Sequence, residues 1–120
     1  KALLQTGKAG SAASYANWRA AESSLKSLGG VPQKYFNVNA KRRYIDQFAD
    51  GIIHEAKYGR VSLTRAVRQQ IEIDKELIKS RKVDGGVWHS FMSDQTNKMG
   101  PLNRVLRALK DAGIEVKYHS

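Results

Sequence analysis

The chain has 120 residues and a formal net charge of +10, from 21 Lys and Arg against 11 Asp and Glu. This length predicts one domain, and a hydrophobic fraction of 41% supplies a core that a disordered basic tail would lack. Cysteine is absent, which excludes disulfides, zinc knuckles and thiol catalysis. No apolar run reaches the roughly 18–20 residues that span a bilayer, and no secretory signal is visible. Because the first residue is Lys rather than Met, we expect a piece of a longer protein.

The positive charge is distributed along the whole chain rather than gathered in one tail. A folded domain with a basic surface is therefore expected, and its partners would be polyanions. Nucleic acid, an anionic membrane surface and an acidic protein all fit, and we favour nucleic acid. The alternative is a domain that happens to be basic.

We predict that the chain consists of a flexible N-terminal segment over 1–10 and a folded domain over 11–120. A helix is predicted over 11–28, ended by Gly29-Gly30. Its apolar positions recur at three- and seven-residue intervals: Tyr15, Trp18, Leu25 and Leu28. Glu22 falls on this apolar stripe, where an acid usually has a partner. The alternative is a Glu at the edge of the stripe that reaches solvent.

The remaining elements alternate between strands and helices. We predict a loop or irregular edge strand over 31–40, a hairpin over 42–58, a helix over 62–82, a strand over 87–91, a helix over 101–113 beginning at Pro101, and a strand over 114–118. The hairpin prediction depends on Asp50-Gly51, a typical two-residue turn pair. The fold class is α/β (α+β), with a central mixed β-sheet flanked by helices in the order α-β-β-β-α-β-α-β.

The predicted hairpin brings charged residues together. A two-residue turn places Gln47 opposite His54 and Asp46 opposite Glu55, and alternation puts Lys57 on the face of Glu55. Two opposed carboxylates repel each other, and a divalent cation would relieve that repulsion. Asp46 and Glu55 are the predicted metal ligands, with Lys57 holding the phosphate or orienting water. A solvated hairpin face is the alternative, and a three-residue turn would move Asp46 to the other face.

These residues resemble the motif of the PD-(D/E)XK, or restriction-endonuclease-like, nuclease superfamily. The resemblance spans about 11–118, with Asp46 and Glu55-Ala56-Lys57 in the motif positions and Ile45 where the superfamily name has Pro. It implies a further metal ligand on the first helix, which would be Glu22. It also implies a Gln or Arg on the helix after the Lys, a catalytic role that we assign to Gln69. The other residues that fit this role are Gln70, Arg65 and Arg68.

A narrower resemblance is to restriction-endonuclease-fold toxin domains at the C-termini of contact-dependent growth inhibition and RHS/YD-repeat proteins. It is carried by four stretches: residues 43–46, 54–63, 67–71 and 87–89. It implies a secreted or cell-surface bacterial toxin that cleaves DNA or tRNA in the target-cell cytoplasm. It also implies a cognate immunity protein, expected to be acidic, and we expect the domain alone to be monomeric.

Basic residues flank the predicted site and are candidate contacts to backbone phosphates, although each fits a solvated surface equally well. They are Arg42, Arg43, Arg60, Arg65 and Arg68. The histidines make a weak zinc case because they are scattered without cysteine. We expect His54 to be packed or hydrogen-bonded on the face opposite Glu55, His89 to be structural and His119 to be mobile.

The sequence thus predicts a metal-dependent nuclease toxin domain, with Mg²⁺ as the preferred ion and Mn²⁺ or Zn²⁺ as alternatives. A non-enzymatic domain that binds nucleic acid through the same basic surface is the second hypothesis. A basic domain that only docks an acidic protein is the third.

Overall fold

The computed structural model describes residues 19–93 and 95–119. The predicted flexible segment 1–10 and the first part of the predicted helix 11–28, including Tyr15 and Trp18, lie outside them. The described part of that helix, α1, covers 19–26 and buries Ala21 and Leu25, which are four residues apart on one face.

Seven strands and two further helices follow α1 within the described ranges. They are β1 (Val31–Val38), β2 (Lys41–Ala49), β3 (Ile52–Tyr58), β4 (Arg60–Val61), α2 (Arg65–Lys79), β5 (Gly85–Phe91), β6 (Gly100–Pro101), α3 (Asn103–Ala112) and β7 (Ile114–His119). The segment predicted as a loop or edge strand is the edge strand β1. Pro101 lies in β6, so the prediction that it begins the last helix is wrong.

Five of the strands form one mixed sheet in the order β1-β2-β3-β5-β7. The first three make an antiparallel meander, whereas β3, β5 and β7 are parallel. Parallel neighbours need crossover connections, which α2 and α3 supply. The short strands β4 and β6 pair separately. The predicted α+β class, with a mixed sheet flanked by helices, is confirmed.

Helices α2 and α3 pack on one side of the sheet, which we call the α2 side. One core cluster joins Ile71 of α2 to Trp88 of β5 and Leu109 of α3. A second joins Ile73 and Leu77 of α2 to strands β1 to β3. Thr64 caps α2 by accepting a hydrogen bond from the backbone N–H of Val67 through its side chain. Trp88, which is 1% exposed, lies on this side of the sheet as a core residue.

The β2–β3 turn is as predicted. Asp50 and Gly51 both have positive φ, at 53° and 79°, as a two-residue hairpin turn of the I′ kind requires. The positive φ of Gly51 favours glycine there, and a side chain would also displace the carboxylate of Asp84. The pairing runs from Ala49↔Ile52 to Gln47↔His54, which is the predicted register.

Candidate active site at the fork between two strands

Strands β2 and β3 part just beyond the last paired residues. The ladder ends at Gln47↔His54, and the next link is made by a side chain, since Oδ2 of Asp46 accepts from the backbone N–H of Ala56 at 2.9 Å. The β1–β2 ladder is also interrupted at this level, where Gln33 of β1 has φ 51°. The strands therefore form a fork, with Asp46 on one arm and Glu55 and Lys57 on the other.

The side chains of the predicted site project from opposite sides of the sheet. Ile45 is fully buried in the core on the α2 side, so its neighbour Asp46 projects to the opposite side, where α1 lies. Phe48 also packs on the α2 side, three residues from Ile45, so the alternation shifts by one residue between them, as at a β-bulge. Glu55 projects to the α2 side. This differs from the predicted single face shared by Asp46 and Glu55.

A buried arginine fixes the position of Glu55. The guanidinium of Arg43 donates from Nε and Nη2 to both carboxylate oxygens of Asp74 on α2, at 2.9 and 3.0 Å. Nη2 also lies 3.2 Å from Oε1 of Glu55. Arg43 is 4% exposed and Asp74 is fully buried, so this is a paired ion network inside the core. Burial raises the pKa of Asp74, while the hydrogen bonds and charge of Arg43 act in the opposite direction.

Three groups hold the ammonium of Lys57. Its Nζ lies 3.2 Å from Oε2 of Glu55, donates to Oε1 of Gln70 at 2.6 Å, and sits 4.8 Å from the centre of the Trp88 ring. Gln70, one of the residues that fit the predicted role on this helix, therefore contacts Lys57, whereas the side chain of Gln69 is exposed on α2. Adjacent helical residues point in directions about 100° apart, so only one of the two can face the lysine.

A cavity of about 310 Å³ lies between α1 and the fork. Asp46 and Lys57 line it from the sheet, and Glu22 and Lys26 line it from α1. Glu22, the choice that the resemblance implies, therefore lines the same cavity as Asp46, whereas Glu55 is not among its lining residues. Acidic and basic residues therefore line the same cavity.

The charged form of the Asp46 carboxylate is disfavoured by its surroundings. Burial, followed by the negative charge of Glu55, raises its pKa to about 6, although the Ala56 N–H and the charges of Arg43 and Lys57 oppose the shift. Perturbed carboxyl groups in clefts are concentrated at functional sites. The two predicted metal ligands therefore interact through their charges even though they leave the sheet on different sides.

The donor set fits a hard divalent cation held partly by water and substrate. Within the described ranges, no three His, Asp or Glu side chains are grouped to hold a metal ion. Mg²⁺ typically uses one or two carboxylates together with water and phosphate oxygens. Asp46 and Glu22, which line the same cavity, would hold such an ion, whereas both oxygens of Glu55 are paired with Arg43 and Lys57. A positive ion there would favour the charged form of Asp46, whose pKa is raised by burial and by the charge of Glu55.

The arginines predicted to contact phosphate divide into two groups. Arg43 is buried and pairs with Asp74 and Glu55, so its assignment to nucleic-acid binding is corrected to a structural role. The other four are exposed: Arg42, Arg60, Arg65 and Arg68. Burial of Arg43 follows from its position on the α2 side, two residues before Ile45.

The three histidines form a row across neighbouring strands, on the α1 side. Nδ1 of His54 is 2.8 Å from Nε2 of His89, and Nδ1 of His89 is 2.8 Å from Nε2 of His119. His54 is hydrogen-bonded, as predicted, and His119, which was expected to be a mobile terminal residue, lies at the end of β7 and stacks on Phe91 at 4.4 Å. Burial and the neighbouring imidazoles lower the pKa of His89 to about 4.

Sequence reasoning missed the Arg43–Asp74 pair and the histidine row. A signal for Asp74 was present, because it lies three residues after Ile71 and three before Leu77 on the apolar face of α2. That is the pattern that singled out Glu22. The histidine row had no local signal, since it depends on the parallel register of β3, β5 and β7.

Comparisons of the chain with protein-family models, with curated proteins and with solved structures gave no match. Across 19–93 and 95–119, every helix is too short or too polar to cross a membrane.

Replacement of Arg43 tests the buried network. Arg43→Met leaves Asp74 and Glu55 without their shared cation, and we expect a loss of about 3–5 kcal/mol in the free energy of unfolding. The matched control is Arg42→Met at the exposed neighbour, where a change within about 0.5 kcal/mol is expected. Urea unfolding at pH 7 measures both. Equal stabilities of the two variants would contradict a structural role for the buried pair.

The raised pKa of Asp46 predicts how the stability of the protein changes with pH. Its ordinary value is 3.8 and its folded value is about 6, so the folded state holds an extra proton between these pH values. Stability is therefore lost as the pH rises through this window. Asp46→Asn keeps an acceptor for Ala56 N–H, and we expect it to be about 1–3 kcal/mol more stable than the wild type at pH 8. The difference should vanish near pH 3.

The control is Asp50→Asn, because Asp50 is exposed and Asn also favours the conformation of this turn. Urea unfolding of both variants between pH 3 and pH 8 gives the comparison. An Asp46→Asn variant that is less stable than the wild type at pH 8 would contradict the prediction that the charged carboxylate of Asp46 destabilises the fold.

The histidine row predicts that stability falls as the pH is lowered, which is opposite to the pH dependence predicted for Asp46. The pKa of His89 is lowered from 6.5 to about 4 in the folded state, so its contribution is lost as the pH falls through that range. His89→Gln should be less stable at pH 7, because it breaks both imidazole contacts, but its stability should change less between pH 7 and pH 4. The slope of unfolding free energy against pH, measured in an Asp46→Asn background, isolates this effect. An unchanged slope would contradict it.

Proposed function

We propose that the chain is a metal-dependent nuclease whose active site is the fork between β2 and β3. The observation that carries the proposal is that Asp46, Lys57 and Glu22 line one cavity, with Glu55 paired to Lys57 outside it, in a chain of net charge +10. Carboxylates that hold a divalent ion, a lysine and a basic surface are the components that phosphodiester hydrolysis requires.

Each residue would have a separate task. Asp46 and Glu22 would hold the ion, which when bound would supply Lewis-acid stabilisation of phosphate charge and acidify a coordinated water. Lys57 lines the cavity and donates hydrogen bonds, so it would hold the scissile phosphate. Gln70 and Glu55 position the ammonium of Lys57, while Arg43 keeps Glu55 in place from the core.

The finer assignment is to the restriction-endonuclease-like toxins. It is supported by the order of helices and strands, by Asp46 and Glu55-Ala56-Lys57 in the motif positions, and by the basic surface. The proposal includes a secreted or cell-surface toxin, monomeric as an isolated domain, that cleaves DNA or tRNA in the cytoplasm of a target bacterium. An acidic immunity protein would cover the fork and match its surrounding arginines by charge.

A second candidate function is nucleic-acid binding without cleavage. One observation favours it: both oxygens of Glu55 already have cationic partners, Arg43 and Lys57, as a purely structural network would show. The two candidates differ in whether phosphodiester bonds are broken.

Cleavage assays distinguish them. The wild type is incubated with plasmid and with total tRNA, in Mg²⁺, Mn²⁺, Zn²⁺ or EDTA. We expect cleavage of one substrate with a metal and none in EDTA. Asp46→Asn, Glu55→Gln and Lys57→Met should each lose activity by roughly 100-fold or more, because each removes a charge from the reacting centre. Binding without cleavage in any metal would favour the second candidate.

Neighbouring residues on α2 provide matched controls. Gln70→Leu removes the acceptor of Lys57 and should lower activity roughly 10- to 100-fold, an estimate for loss of a group that positions a site residue. Gln69→Leu, Glu76→Gln and Lys75→Met change exposed side chains and should retain activity. Circular dichroism confirms that the variants are folded. Full activity of Gln70→Leu would contradict the assigned positioning.

A further inference from the structure

Two exposed tyrosines stand side by side on β1 and β2. Tyr35 and Tyr44 are direct partners in the antiparallel ladder, and their ring centres are 5.1 Å apart with the planes tilted by 49°. They are 42% and 52% exposed, which is unusual for a pair of aromatic rings in contact. Asn37 donates from Nδ2 to the hydroxyl of Tyr35 at 3.2 Å and limits its movement. We call Tyr35 and Tyr44 the tyrosine pair.

The tyrosine pair lies on the same side of the sheet as Asp46. Tyr44 and Asp46 flank the fully buried Ile45, so both side chains point away from α2. Two residues along a strand span about 6.6 Å, which puts the pair directly beside the cavity lined by Asp46. Arg42 precedes Tyr44 by two residues and is exposed, so a cation, an aromatic ring and a carboxylate follow one another along one face of β2.

This succession matches the chemistry of a nucleotide chain. A base stacks on an exposed aromatic ring, and an arginine pairs with the adjacent phosphate. Bases in a duplex are already stacked on one another, so a side chain gains access to a base face only where the strand is unpaired. The excess of positive charge on the chain favours a polyanion over an apolar peptide on these rings.

We propose that the tyrosine pair is a stacking platform for unpaired nucleobases, which directs single-stranded or looped nucleic acid into the cavity at the fork. The inference rests on the proposed function for what happens to the strand after it binds. The platform itself requires only binding. An ordinary cross-strand aromatic pair would stabilise the sheet edge and have no preference among nucleic acids.

Binding in EDTA tests the platform without cleavage. The probes are single-stranded and duplex oligonucleotides of one sequence that carry the fluorescent base 2-aminopurine, whose emission is quenched by stacking. We expect the wild type to bind the single strand more tightly and to quench it. Tyr35→Leu and Tyr44→Leu should each weaken single-strand binding roughly 5- to 100-fold and leave duplex binding unchanged. Tyr118→Leu is the matched control, since Tyr118 is 54% exposed but lies on β7 at the other sheet edge.

The outcomes separate the platform from the nuclease. Loss of stability in the two tyrosine variants with unchanged single-strand affinity would overturn the platform and show an ordinary edge pair. Equal binding of single strand and duplex by the wild type would also overturn it, and cleavage by the wild type in metal would still support the nuclease. Quenched, tyrosine-dependent binding with no cleavage in any metal would support the platform and overturn the nuclease.

Discussion

The buried guanidinium of Arg43 is the interaction on which the rest of the site depends. It joins three elements, since it belongs to β2, bonds to both oxygens of Asp74 on α2, and reaches Glu55 on β3. Charges removed from water are tolerated only when they are paired and hydrogen-bonded. The position of α2 on the sheet and the direction of the Glu55 carboxylate are thus fixed by one side chain, and Lys57 is fixed in turn through Glu55.

The fork separates two carboxylates that a regular hairpin would place together. Glu55 is paired on the α2 side with Arg43 and Lys57, whereas Asp46 lines the cavity and accepts a hydrogen bond from the backbone N–H of Ala56. This division leaves negative charge where a cation or a phosphate-bound metal could approach. Stability and binding capacity have different requirements here, because the carboxylate that costs stability is the one that lines the cavity.

Local sequence signals predicted those features that local geometry determines. Asp50-Gly51 set the register of the hairpin, and the apolar repeat of α2 located its core face. The shift in alternation between Ile45 and Phe48 had no such signal, because it depends on the interrupted ladder at Gln33 of the neighbouring strand. Gln70 was separable from Gln69 only once the rotation of α2 on the sheet was known. The histidine row required the parallel register of strands distant in sequence.

The charged network occupies one continuous stretch of the chain, from Arg43 to Asp74, which also contains Lys57 and Gln70. Beyond this stretch, α3 and β7 contribute apolar core contacts, and β5 contributes the Trp88 ring beneath Lys57. Apolar core positions of α3 and β7 can therefore change so long as the substitutions fill the same volume, without disturbing the ion pairs of Arg43. The charged residues of the fork and the apolar core residues of α3 and β7 can therefore change independently of each other during evolution.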